Sequence, residues 1–175
     1  MTDVRAPHLL VERGADDLAH PGGTLGSHLR RVADRLVAHG ADERTVATGL
    51  YHAAYGTDGF PQALLDLGER RLLVAEIGAD AEAEVLRYCS CDRAATYPAL
   101  GDPVVTFVDR FTGSAGGVAR EELRTFAAVT VANELDVADH LDLDAAARGE
   151  LHRAIAPLAD LLTAAGRADL EHTLT

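Results

Sequence analysis

"TLGSHLRRVADRLVAHGADERTVATGLYHAAYGTDGF", residues 24–60, is the stretch whose reading decides the fold. Leu25, Leu29, Val32, Leu36 and Val37 recur at helical spacing. Thr24 or Ser27 suits the start of that helix, and Gly40 suits the left-handed position after its end. Asp42 can then cap a second helix reaching to about residue 54. His28 follows Leu25 by three residues and precedes Val32 by four, so it sits on or beside the buried stripe. An imidazole placed there needs a partner for each ring nitrogen, or it loses about 1–3 kcal/mol per unsatisfied group. His52 falls near the end of the second helix, three residues after Gly49, where a missing side chain would admit another segment. Antiparallel helices with a short connection are neighbours, so His28 and His52 are expected to face a shared space.

Outward from this pair the pattern stays helical. Val4, Leu9, Leu10 and Leu18 suggest a helix over 3–19, broken by "HPGG" at 20–23. "YGTDGFP" at 55–61 is a turn cluster, and helices are expected over 61–78 and 79–91. After the breaker-rich "TYPALGDP" at 96–103, "VVTFVDRF" at 104–111 reads as a strand or a short buried helical segment. "TGSAGG" at 112–117 reads as a flexible loop; it lacks the Gly-Lys-Ser/Thr ending of a phosphate cradle. Helices are expected over 118–138 and 144–165, with Asp144 as a cap. No internal repeat interrupts this order. The expectation is one all-α domain over residues 1–175, a helical bundle.

Composition narrows the function classes. A formal net charge of −12 disfavours nucleic acid and anionic membrane as partners. No apolar run reaches the roughly 20 residues that span a bilayer, and "MTDVRAPHLLVERGADD" has no signal-peptide pattern. Two cysteines, Cys89 and Cys91, are too few and too close for a disulfide framework. Cys89, Ser90 and Cys91 also lack the second ligand pair of a zinc motif. A soluble cytoplasmic protein with a small-molecule ligand is expected, with a homodimer as an open option.

"SHLRRVADRLVAHGADERTVATGLYHAAYG" at 27–56 resembles the opening of the HD superfamily, a His on one helix and a His-Asp pair ending the next. "RRLLVAEIGADAEAEVLRY" at 70–88 is similar to a helix of the alarmone (ppGpp) hydrolase branch, and "TVANELDVADH" at 130–140 to the later HD helix. The likeness covers about residues 20–140. It is nearest to short bacterial HD-like proteins of unassigned function, in which patterns like "HPGGTLGSHL", "GLYHAAYGT" and the Cys91, Asp92, Arg93 triplet recur.

The resemblance implies an HD-domain-like bundle with His28 and His52 as metal ligands. It also exposes departures. Ala53 follows the second His where the superfamily has Asp, and Asn133 stands at the distant Asp position. Gly56 and Thr57 replace the Glu-Asp pair of the alarmone hydrolases. Two imidazoles and an amide suit Mn²⁺ or Mg²⁺ poorly, since both prefer anionic oxygen. Asp136, one turn after Asn133, is a candidate replacement carboxylate; His20 and Asp58 are further candidates. Two or three histidines with one carboxylate would suit Fe or Zn, and Mn stays on the list; inositol oxygenase is an iron enzyme among HD relatives.

A metal-free site is the competing expectation. His28 and His52 would then act as acid and base, with Tyr55 as a hydrogen-bond donor. Arg71, Arg93 and Asn133 are the candidate substrate-binding residues, the arginines holding a carboxylate or phosphate. The functional expectation is an enzyme acting on a small polar, anionic metabolite. Its alternative is a non-catalytic binding or interaction protein on a degenerate HD fold.

Overall fold

The computed structural model describes residues 7–175. Its elements in chain order are α1 (His8–Glu12), β1 (Ala19–His20), β2 (Gly23–Thr24), α2 (Leu25–Ala38), α3 (Glu43–Leu50), α4 (Arg70–Ile77), α5 (Ala79–Ser90), α6 (Arg93–Thr96), β3 (Val104–Val108), β4 (Ala115–Ala119), α7 (Arg124–His140), α8 (Ala145–Ile155) and α9 (Ala164–Leu174). Short 3₁₀ turns link several of them. The chain is therefore mainly helical but not all-α, because two small antiparallel hairpins accompany the helices.

The α2–α3 pair forms for the reasons its sequence suggests. Thr24 accepts from the Ser27 amide, and Ser27 returns a bond to the Thr24 amide, closing a capping box. Leu25, Leu29, Val32 and Leu36 are buried, whereas Val37, one position off that stripe, is exposed. Gly40 takes φ +73° at the helix exit, and Asp42 caps α3 through the Thr45 amide. Leu36 packs into the space left by Gly49; a Cβ there would lie 2.2 Å from Leu36 Cδ1. The helix ends at Leu50, short of the expected residue 54. Its termination has a local cause: the His52 ring takes the Gly49 carbonyl, an acceptor that a continuing helix would give to the amide four residues on.

Other boundaries move for equally physical reasons. Of the helix expected over 3–19, Val4 lies outside the described residues, α1 is short, and Gly14 at φ +71° turns the chain away. Residues 61–66 are not helical, because the amides of Leu64 and Leu65 both bond the Ala54 carbonyl and fold the segment back. The segment 112–117 is only half loop: Ala115, Gly116 and Gly117 pair with Val108, Phe107 and Thr106. Pro157 begins a 3₁₀ turn after α8, so the helix expected over 144–165 divides, and α9 follows under a Thr163 cap.

Burial divides into two cores. One gathers Leu9, Leu10, Leu25, Leu29, Ala33, Leu50, Leu64, Leu65, Leu73, Val85 and Cys89 around α2, α3 and α5. The other surrounds α7, which is buried on nearly every side, with Val105, Phe107, Ile155, Leu158 and Leu170 against it. Helix α2 joins them, since Val32 and Leu36 belong to the second core and Leu25, Leu29 and Ala33 to the first. A polar cluster lies along this seam.

Candidate functional site

Three elements meet at the seam: α2 brings His28, the turn after α3 brings His52, and α7 brings Asn133 and Asp136. The exposures are 1%, 2%, 7% and 3%, so none of the four faces bulk water. His28 Nδ1 lies 2.7 Å from Asp136 Oδ2. That carboxylate also accepts from Arg31, at 2.7 Å from Nε and 2.9 Å from Nη2. Burial alone would raise the Asp136 pKa, but the bonds from His28 and Arg31 outweigh it and hold the group well below the usual carboxylate range. The carboxylate is ionised and can only accept, so His28 Nδ1 carries the ring proton.

The same reasoning fixes His52. Its Nδ1 lies 2.7 Å from the Gly49 carbonyl, which can only accept, so this nitrogen is the protonated one. Burial first, then the neighbouring His28 imidazole, pull the His52 pKa down to about 3. Asn133 is oriented by a bond from its Nδ2 to Glu134 Oε1 at 3.0 Å, which turns Oδ1 inward. Glu134 is in turn paired with Arg93 at 2.8 Å.

Three lone pairs therefore converge. His28 Nε2 lies 3.3 Å from His52 Nε2 and 3.1 Å from Asn133 Oδ1. Where His28 carries its proton on Nδ1 alone, no proton lies between these acceptors. Two nitrogens about 2.1 Å from a common ion sit about 3.0–3.4 Å apart at octahedral to tetrahedral angles. Donation of each Nδ1–H to a carboxylate or a backbone carbonyl is the outer bonding that metal-bound histidines use. Two imidazole nitrogens and an amide oxygen at these spacings are donor types that divalent transition metals accept.

The set differs from the expected one. Asp136 does not join the histidines as a third ligand; it stands behind His28, on the opposite ring nitrogen. Among the described residues, no three His, Cys, Asp or Glu side chains group as a metal site. His20 stacks on the His28 ring at 4.0 Å between centroids and meets Phe60 edge-on at 5.3 Å, so it covers the cluster from outside. Asp58 accepts from the Arg93 amide and stays at the turn.

Tyr55 is placed elsewhere. Its hydroxyl donates to Glu82, which also takes two bonds from Arg70, tying the turn to α4 and α5. Arg71 is exposed and makes no hydrogen bond or ion pair among the described residues. Arg93 is engaged by Glu134 and the Tyr88 hydroxyl and reaches the cluster only through Asn133. Sequence reasoning missed Arg31 and Glu134. Arg31 follows His28 by one helical turn, and that spacing was the available signal.

A cleft of about 640 Å³ opens between α3 and the α4–α5 joint, lined by Arg44, Tyr51, Glu76 and Asp80 among others. Neither His28, His52 nor Asn133 lines it, so it is not the shared space expected around the histidines. No helix among the described residues is long and apolar enough to cross a membrane.

Residues 9–93, a little under half of the chain, match the family described as Domain of unknown function (DUF6817). No curated protein and no solved structure matches the chain.

Proposed function

We propose that His28, His52 and Asn133 form a buried centre for one divalent transition-metal ion on an HD-like helical fold, and that the protein is an enzyme acting there on a small anionic metabolite. The observation that carries this reading is the approach of His28 Nε2 to His52 Nε2 at 3.3 Å and to Asn133 Oδ1 at 3.1 Å, with each of the three side chains oriented from behind by a fixed partner. Fe and Zn suit such nitrogen-rich sets; Mn would rely on added oxygen donors from water or substrate.

Charge argues for the anionic substrate. Asp136 is balanced by Arg31 and Glu134 by Arg93, so all three donors and their supports sum to neutrality. A bound ion would keep its full double charge in a water-poor site, where it activates water or polarises an oxygen. The chain supplies the rest. Asp136 and Gly49 hold the two rings in the tautomer that exposes Nε2, Glu134 fixes the Asn133 amide, and His20 with Phe60 limits water.

The same distances allow a second reading. A second proton on His28 would serve both Asn133 Oδ1 and His52 Nε2, making a metal-free acid–base pair. Elemental analysis of untagged protein, purified without chelator and beside His28→Ala and His52→Ala, separates the two. Near-stoichiometric transition metal in wild type, lost in both variants, is expected. Absence of metal in wild type after anaerobic supplementation would sink the metal reading in favour of the protonated pair.

A further inference from the structure

The centre is closed, and its outer wall, tied at the base by the Leu25 amide to the Leu18 carbonyl at 2.8 Å, is lightly secured toward its tip. β1 and β2 pair through only two residue couples, Ala19 with Thr24 and His20 with Gly23. The connection is Pro21 then Gly22, with Gly22 at φ +76°, a combination that defines a type II turn. Such turns splay the strands they join, whereas the turns common in hairpins follow the natural strand twist. Two couples on a splaying turn make an element of low local stability.

Its anchors are correspondingly light. Arg31 Nη1 donates to the Gly22 carbonyl and Nη2 to the Pro21 carbonyl, each at 3.3 Å, long beside its bonds to Asp136. His20 Nδ1 faces the Pro21 carbonyl at 3.4 Å, and His20 Nε2 has no hydrogen-bond partner among the described residues. Beyond that one long bond within the hairpin, the ring is held by contact between the His28 face and the Phe60 edge. Gly22 rests against the His140 ring, where a Cβ would approach Cδ2 to 2.2 Å.

We propose that the hairpin over residues 19–24 is the entrance to the His28–His52–Asn133 centre, with the His20 ring as its removable plug. The inference rests on the metal reading for its function but not for its geometry. His20 leaves by breaking its stack on His28 and the two long Arg31 bonds to the hairpin turn, while α2, α7 and the turn after α3 keep the donors in place. Phe60, on the opposite rim, stays as the fixed jamb, since its turn is closed by paired bonds with Thr57. Arg31 bonds both the Pro21 and Gly22 carbonyls and Asp136, so an anion entering here meets its freed guanidinium NH groups first.

The test uses Co²⁺ as the probe on the full chain. Uptake and loss to a chelator are timed in wild type, His20→Ala and His20→Phe. His20→Ala should exchange about tenfold faster in both directions, as expected from losing one ring stack, with Kd unchanged. His20→Phe should restore slow exchange, because an aromatic ring refills the gap without offering a nitrogen. A weakened Kd with unchanged uptake in both variants would overturn the proposal and make His20 a ligand. Equal rates in all three proteins would overturn it too.

If wild type takes up no Co²⁺, the metal reading fails by itself, and the entrance is read in metal-free protein. Carbethoxylation of His52 by diethyl pyrocarbonate, mapped by peptide mass, should then be faster in His20→Ala and in Gly22→Ala than in wild type. Gly22→Ala displaces the hairpin from His140 without touching His20, so it guards against a folding defect peculiar to the first variant. Unchanged His52 modification in both would overturn the entrance.

Discussion

Asn133 offers its oxygen to the histidines and its nitrogen to Glu134, and a carboxylate could do only the first. Asn133→Asp should therefore melt below wild type in metal-free buffer, where the new charge faces Glu134. Saturating Co²⁺ should reverse the order, because a full negative charge then faces a divalent ion at short range. Paired thermal melts check this, and an order indifferent to Co²⁺ would take Asn133 out of the centre. At this scale the sequence was legible by residue type. His28, His52 and Asn133 do come together, and Asp136 joins them in the order of the chain. Spacing names the face of a helix, however, and not the ring nitrogen that a carboxylate meets. So Asp136 could be read as a ligand when it stands behind the His28 ring.

The Tyr55, Arg70 and Glu82 network belongs to the scale of elements, since it fastens the turn after α3 to α4 and α5. Burial alone would raise the Glu82 pKa; the bonds from Arg70 and Tyr55 outweigh it and leave the group below its ordinary value. A depressed folded pKa means the stabilisation is complete above the unfolded value of about 4.3 and fades as pH falls through the folded one. Glu82→Gln should lose about 1–3 kcal/mol near pH 7, less than a wholly buried pair because the Arg70 side chain is 44% exposed. Urea unfolding against pH should show the gap between wild type and variant closing below about pH 4. A gap constant with pH would assign the loss to packing. Legibility at this scale followed the signals. Caps at Thr24, Asp42 and Asp144 were visible because capping is local. Strand β4 was not, because two adjacent glycines give no alternation; Gly117 is small there to let Val104 lie 2.9 Å from where a Cβ would be.

For the molecule as a whole, α9 is held to α2 by Asp169, which accepts from Arg35 Nε at 2.7 Å and His39 Nε2 at 2.8 Å. Asp169→Ala leaves the buried His39 ring without that partner, and a loss of about 2 kcal/mol is expected in urea unfolding. A change within experimental scatter would show that apolar contacts alone dock α9. The mainly helical content was readable from periodicity and short loops. Its division into two cores was not, because the partner of an apolar stripe is chosen by the fold and not by the stripe.

That division orders events in time. Every buried residue of the first core, from Leu9 to Cys89, lies within the segment 9–93, and so do both histidines. Asn133, 105 residues beyond His28, comes with the other core. A ribosome thus releases a segment able to collapse on itself well before it makes the helix that aims His28 and closes the third position. A cation met at that moment would find two imidazoles, one still free to spin. On the proposed reading, metal binding would then wait for the end of synthesis.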